Sequence, residues 1–162
     1  MTATPPSSPS PTLLAAVRQF NEGTYFLCHE TLEVLWQDEP GPIRAVYQGI
    51  LQIGIGLLHW QRGNHRGARI LLARGKELLR PFLPAALGLD LAGLSAAVAD
   101  LIELLDTPAG PPSLADDRRP RLHPAAVTPG TERTGTYWAD RVDKSRQPGI
   151  MRAIFDLQWD TT

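Results

Sequence analysis

Hydrophobic residues recur at helical spacing between residues 12 and 106, and the interruptions of this pattern divide the segment into predicted helices. The interruptions are "NEG", "DEPGP", "RGN" and the prolines at 81 and 84, all of which favour turns. Five helices result: Ser10-Pro11 to about Phe20, Thr24 to Gln37, Pro42 to Arg62, 65 to 80, and one after Asp90 with apolar residues at 91, 94, 98, 101 and 105. The pattern predicts an all-α, single-domain array of about five helices.

The two ends of the chain have a different composition from this helical segment. Residues 1–11 contain four prolines and three serines, which is typical of a disordered arm. Residues 107–162 contain seven prolines, too many for long helices. We therefore expect a helical domain over residues 12–106 and a proline-rich, irregular C-terminal tail. Trp138, Phe155 and Trp159 indicate that parts of this tail dock on the core.

Composition and charge restrict the classes of partner and the location. With 162 residues and 43% hydrophobic content, the chain can bury one core, and its net charge of -1 gives no general attraction to nucleic acid or anionic membranes. Gln48, Gln52 and His59 interrupt the longest apolar stretch, so we predict no membrane span. The single cysteine, Cys28, and an N-terminus without a secretory signal pattern predict a cytoplasmic protein.

The candidate site begins with "FLCHETLEVLW" on the second helix, where Phe26, His29, Glu33 and Trp36 share one face. The short "DEPGP" connection favours antiparallel pairing with the third helix. On that helix the small residues 45, 49 and 56 form a stripe with two polar residues, Gln52 and His59. We expect this stripe to oppose the His29 face and to bring His29, Glu33, Gln52 and His59 together in a buried or cleft position, with Trp36 and Gln48 in the same polar cluster.

Three interpretations of this cluster stay open. In the first, His29 and Glu33 form a structural hydrogen-bonded pair that fixes the helix register. In the second, His29, Glu33 and His59 bind a divalent metal ion, since two imidazoles and a carboxylate leave a coordination position open. In the third, the cluster performs metal-free acid–base chemistry or binds a polar ligand. Cys28 lies off the face and makes a poor candidate for a Cys-His nucleophile.

The pattern H-x-x-x-E-x-x-W, here His29, Glu33 and Trp36, resembles the signature of the bacterial and archaeal domain of unknown function family 309. The opening "FNEG" and the centre "QGILQIGIGLLHWQRGNHRGA" are similar to that family as well, over roughly residues 13–82. The resemblance implies a small all-helical fold and no agreed biochemical activity.

Charge is unevenly distributed between two helices. Residues 21–43 contain five acids and no Lys or Arg, whereas residues 62–80 contain six Lys or Arg and one acid, Glu77. Arg66, Arg69, Lys76 and Arg80 share one face of the fourth helix, which is either a solvated, partly neutralised surface or an anion, phosphate or RNA contact. We predict at most weak, salt-sensitive nucleic-acid binding. A non-enzymatic, partner-binding helical scaffold is the alternative function, and a homo-oligomer stays open.

Overall fold

Five α-helices form the part of the chain that the computed structural model describes, which comprises residues 10–108, 113–114 and 117–125. The helices are α1 (Pro11–Glu22), α2 (Tyr25–Asp38), α3 (Arg44–Gln61), α4 (His65–Leu79) and α5 (Leu91–Leu105). The predicted all-α array of five helices is confirmed. Most of the predicted N-terminal arm, together with Trp138, Phe155 and Trp159, lies outside the described residues.

Local hydrogen bonds set the ends of these helices. Ser10 Oγ accepts from the Leu13 amide at 3.2 Å at the start of α1, and Gly23, at φ 82°, closes that helix in the left-handed conformation. Asn64 Oδ1 accepts from the Gly67 amide at 3.0 Å to cap α4. Asp90 Oδ1 does the same for α5 through the Gly93 amide at 2.9 Å. Each of these caps depends on residues no more than four positions away, so the sequence pattern places the ends of these helices close to the observed ones.

Helix α3 occupies the centre of the fold and is buried along almost its whole length. It packs against α2 on one side and α4 on the other, while α1 packs on α2 and α5 packs on α4. Helix α2 lies nearer the surface, because its Leu27 and Val34 are 48% and 54% exposed. No helix among the described residues is long and apolar enough to cross a membrane. The cytoplasmic location stays a prediction.

The small residues of α3 lie against α4 and not against the His29 face of α2. A Cβ atom added at Gly49 would lie 3.0 Å from the carbonyl oxygen of Gly75. One added at Gly56 would lie 3.2 Å from the carbonyl oxygen of Ala68. The α3 and α4 backbones therefore approach too closely for side chains at these positions, and the predicted partner of the stripe is corrected from α2 to α4.

A short connection after α4 turns the chain back over the core. It consists of a 3-10 turn (Arg80–Phe82) and two strands, β1 (Ala85–Ala86) and β2 (Leu89–Asp90), which pair antiparallel. The sequence pattern shows only a break here, because the prolines end the helix without indicating the conformation of the residues after it.

Residues 117–125 pack against the outside of this array. Asn21 Nδ2 donates to the carbonyl oxygen of Leu122 at 3.0 Å, and the Leu122 amide donates back to Asn21 Oδ1 at 2.7 Å. The Leu122 side chain is 2% exposed, and the Ala125 amide donates to the carbonyl oxygen of Gly88 at 2.8 Å. These contacts join distant positions of the chain and hold this part of it on α1 and the β1–β2 turn.

Candidate functional site

Five polar or partly polar side chains of α2 and α3 are buried in the fold. We call them the polar layer. Their exposed fractions are 3% for His29, 5% for Trp36, 0% for Gln48, 1% for Gln52 and 2% for His59. The three α3 members fall within about 40° of one another around the helix, so they share one side of it. The layer is therefore part of the protein interior.

Glu33 does not belong to this layer. The buried side of α2 consists of Tyr25, Cys28, His29, Leu32 and Trp36. Phe26, which the sequence pattern places on the buried face, is 40% exposed, and Glu33 is only partly buried. Gln37 Nε2 donates to Glu33 Oε1 at 3.5 Å in an exposed position. The buried face is thus rotated away from Glu33, and the carboxylate lies at the solvent edge of α2.

His29 is held in its neutral form by burial. Loss of hydration lowers the pKa of the His29 imidazole from 6.5, and the negative charges of Glu33 and Glu30 oppose this shift without cancelling it. The Phe26 ring stacks on the imidazole with 6.3 Å between ring centroids and 26° between planes. Glu33 therefore acts on His29 as a nearby charge at the protein surface.

His59 is fixed in one tautomer by the turn between α3 and α4. Asn64 Nδ2 lies 3.1 Å from His59 Nδ1, while Asn64 Oδ1 is occupied by the Gly67 amide. Because the amide nitrogen can only donate, His59 Nδ1 must accept, and the ring proton resides on Nε2. His59 Nε2 is buried without a hydrogen-bond partner in the described part of the chain. Burial, followed by the positive charge of Arg62, lowers the pKa of His59 from 6.5.

Acid should destabilise the fold through these two histidines. Both histidines have a folded-state pKa below the ordinary value of 6.5. When the pH falls below that value, His29 and His59 therefore bind protons in the unfolded chain more readily than in the folded chain. The free energy of unfolding is therefore not reduced by these histidines above pH 6.5, and it falls as the pH is lowered below that value. Urea unfolding should therefore give a lower midpoint at about pH 5.5 than at about pH 7.5.

The double variant His29→Gln with His59→Gln serves as the control for this pH dependence. It should lose most of the change in midpoint between these two pH values, because the carboxylates titrate at lower pH. A wild-type midpoint that stays constant across the window would contradict the neutral, buried assignment of both rings.

Several atoms of the polar layer have no hydrogen-bond partner in the described structure. Both amide atoms of Gln48, Oε1 of Gln52 and Nε1 of Trp36 are buried and unpaired. Next to Gln48, one turn earlier on α3, the Arg44 guanidinium carbon lies 3.7 Å from the centroid of the Trp36 ring. Arg44 Nε donates to the Trp36 carbonyl oxygen at 2.9 Å. Sequence reasoning missed Arg44, although it is the first cation after the acidic segment.

The predicted metal-ligand set is not assembled in this geometry. Within residues 10–108, 113–114 and 117–125, no three His, Cys, Asp or Glu side chains form a group that could hold a metal ion. Glu33 lies at the surface edge of α2, whereas His59 lies at the end of α3, with Nδ1 already facing Asn64. Divalent-metal binding by His29, Glu33 and His59 stays a prediction without geometric support.

Cys28 has the environment of a structural thiol. Its Sγ donates to the carbonyl oxygen of Ala16 at 3.3 Å. Burial raises the pKa of the Cys28 thiol to about 12, so the thiolate needed for nucleophilic attack does not form near neutral pH. The thiol stabilises the contact between α1 and α2.

The four residues of the predicted basic face have different environments. Arg69 donates to both carboxylate oxygens of Asp106, at 2.6 and 2.9 Å. Arg80 lies 3.6 Å from Glu77, and Arg66 is exposed. Lys76 and Arg80 line a cavity of about 350 Å³ together with Glu77, Leu83 and Ser95. The face is therefore partly neutralised by Asp106 and Glu77.

A second, more open cavity of about 500 Å³ lies beside α1. Its lining residues are Leu14, Val17, Arg18, Asn21, Glu22 and Arg121. Neither this cavity nor the one near Arg80 is lined by a member of the polar layer.

Two comparisons with known proteins found similar sequences. The uncharacterized protein YpuF of Bacillus subtilis (strain 168) is 35% identical over 86 residues, which make up 51% of this chain and 49% of YpuF. The chain thus matches about half the length of that curated relative. The family model named "Domain of unknown function (DUF309)" matches residues 13–71. The match to DUF309 therefore covers α1, α2, α3 and the first half of α4, and it confirms for that segment the family resemblance inferred from the sequence.

Proposed function

We propose that this protein is a helical binding module that docks a basic amphipathic helix of a partner protein on the outward face of α2. The observation that carries the proposal is the exposure of Phe26, Leu27 and Val34, which are 40%, 48% and 54% accessible. We call these three residues the α2 apolar patch. Leu27 and Val34 are seven residues apart and so lie two turns apart on the same side of the helix, which is the spacing used in helix-to-helix docking.

The acidic surroundings of the α2 apolar patch favour a basic partner. Glu30 is exposed between Phe26 and Val34, and Asp38 is exposed at the end of the helix. The segment from residue 21 to residue 43 contains no Lys or Arg. An apolar strip bordered by carboxylates complements a helix with leucines on one side and lysines or arginines beside them. Charge complementarity thus selects the chemistry of the partner.

The enclosed position of the polar layer supports a binding module over an enzyme. A substrate must reach the groups that act on it, and active sites usually lie in clefts with a few convergent polar groups. His29, Gln52 and His59 are at most 3% exposed, and the cavities beside α1 and at the end of α4 are lined by other residues. Within the proposal, the polar layer is part of the buried interior, and recognition takes place on the outer side of α2.

A synthetic helical peptide provides the test of this proposal. We suggest a peptide of about 18 residues, five helical turns, with leucines at positions i, i+3, i+4 and i+7 and lysines elsewhere. Titration of the full chain, followed by backbone amide chemical shifts, should give saturable changes confined to α2. The affinity should fall as salt is added, because the flanking charges are exposed.

Matched variants separate docking at the α2 apolar patch from general attraction. Leu27→Ser with Val34→Ser should weaken peptide binding about tenfold or more, equivalent to about 1.4 kcal/mol. Leu14→Ser is the control, because Leu14 is equally exposed at 49% but lies on α1. Unchanged binding in the double variant would overturn the proposal. Self-association of the protein that the double variant abolishes would assign the patch to a second copy instead.

A further inference from the structure

We propose that the cavity at the junction of α4 and α5 binds the phosphate group of a small molecule. This cavity of about 350 Å³ is lined by Lys76, Glu77, Arg80, Leu83 and Ser95. Lys76 and Arg80 are four residues apart at the end of α4, so their side chains leave the helix on the same side. The volume lies at the lower end of the range for small-molecule sites. This proposal is independent of the docking surface on α2.

The lining residues supply three kinds of donor suited to phosphate oxygens. Lys76 contributes an ammonium group and Arg80 a guanidinium group, which binds phosphate with paired hydrogen bonds. Ser95 adds a hydroxyl from α5, and this residue is only 8% exposed among the apolar residues of that helix. A mostly buried serine and two cations line one cavity, an arrangement that a phosphate group can complete.

Glu77 is the one acidic residue among the five that line the cavity, and it does not prevent anion binding by Arg80. Their closest atoms are 3.6 Å apart, and both side chains are mostly exposed, at 76% for Arg80 and 67% for Glu77. Exposed pairs of this kind contribute little, so Arg80 can exchange Glu77 for an anion. Arg69 differs, because Asp106 occupies its guanidinium with two hydrogen bonds.

The form of the cavity favours a small molecule over a nucleic acid. The two cations that line it lie one turn apart on a single helix, whereas nucleic-acid surfaces spread their cations along the phosphate backbone. None of the five lining residues is aromatic, so the cavity offers no platform for stacking of unpaired bases. Sequence reasoning found Lys76 and Arg80 but missed Ser95, which reaches the cavity from another helix.

Titration of the full chain with inorganic phosphate at constant ionic strength tests the proposal. Backbone amide shifts should change saturably at Leu83, Ser95 and the end of α4. Arg80→Gln and Lys76→Gln should each weaken phosphate binding about tenfold. Arg74→Gln is the control, because Arg74 is an exposed cation of the same helix that does not line the cavity, and it should leave the affinity unchanged.

Glu77→Gln gives a result that a general salt effect does not produce. Removing the carboxylate that competes for Arg80 should tighten phosphate binding several-fold, while Ser95→Ala should weaken it. Phosphate shifts that persist in Arg80→Gln, or that spread evenly over all exposed cations, would overturn the proposal. An RNA oligonucleotide whose binding depends equally on Arg66, Arg74 and Arg80 would also overturn it, in favour of an extended basic surface.

Discussion

Replacing Gly75 with alanine should destabilise the protein by about 1–3 kcal/mol, because the contact between α3 and α4 at this position has no room for a methyl group. A Cβ atom at Gly75 would lie 2.7 Å from the carbonyl oxygen of Gly49 and 2.6 Å from Ile53 Cγ1. The carbonyl belongs to the α3 backbone and cannot move aside by rotation, so α3 and α4 must separate. Alanine's better helix propensity, worth up to about 1 kcal/mol, offsets only part of this cost.

Gly54→Ala is the matched control, because Gly54 lies on α3 but has ordinary space around it. A Cβ atom there would lie 3.7 Å from the nearest atom, Tyr25 Cδ1, which is normal van der Waals contact. This change should leave stability unaltered or raise it by up to about 1 kcal/mol. Urea unfolding of both variants measures the difference. Equal effects at the two positions would show that α3 and α4 approach each other less closely than these distances indicate.

Replacing Gln48 with methionine should stabilise the protein by about 1–3 kcal/mol. Gln48 is 0% exposed, and neither atom of its amide has a hydrogen-bond partner among the described residues. Methionine has nearly the same length and shape, so the change removes an unpaired polar group without opening a cavity. Thermal and urea unfolding should both register the gain.

Gln61→Met tests whether this gain depends on burial. Gln61 is exposed at the end of α3, so the change should alter stability by no more than about 0.5 kcal/mol. A loss of stability in Gln48→Met would show that the amide is hydrogen-bonded in solution, for example to a buried water molecule. The polar layer would then be a hydrated network inside the core.

The two stability predictions address different consequences of the same central helix. Gly75 tests how α3 approaches α4, and Gln48 tests the cost of polar groups on the part of α3 that carries the polar layer. If both hold, the fold is held by close α3–α4 packing and tolerates an unsatisfied polar layer. The polar layer then favours one orientation of the helices, because apolar side chains alone are compatible with several similar packings.

The sequence by itself determined the five helices and nearly all of their ends. The reason is that helices and caps depend on residues within one or two turns: Ser10, Gly23, Asn64 and Asp90 act on amides or carbonyls no more than four residues away. The apolar pattern with Gln52 and His59 inside it likewise indicated an interior position for those side chains. The family resemblance over the first helices also needed only the order of residues.

Only the tertiary structure decided which surfaces of these helices meet. On α2, Tyr25 and Phe26 are adjacent and both aromatic, so the sequence could not show that Tyr25 is 1% exposed and Phe26 40%. The buried face therefore leaves Glu33 only partly buried at the edge of α2. The glycine stripe of α3 met α4 because the backbones can approach there.

Contacts between residues far apart in the sequence were also visible only in the tertiary structure. Asp106 reaches Arg69 across 37 positions, and Leu122 reaches Asn21 across 101. Ser95 of α5 joins Lys76 and Arg80 of α4 at one cavity. Hydrophobic burial has no direction, so a single sequence specifies that its apolar faces are covered without specifying which distant segment covers them. Packing among whole helices makes that choice, and with it the location of the surfaces left for partners and ligands.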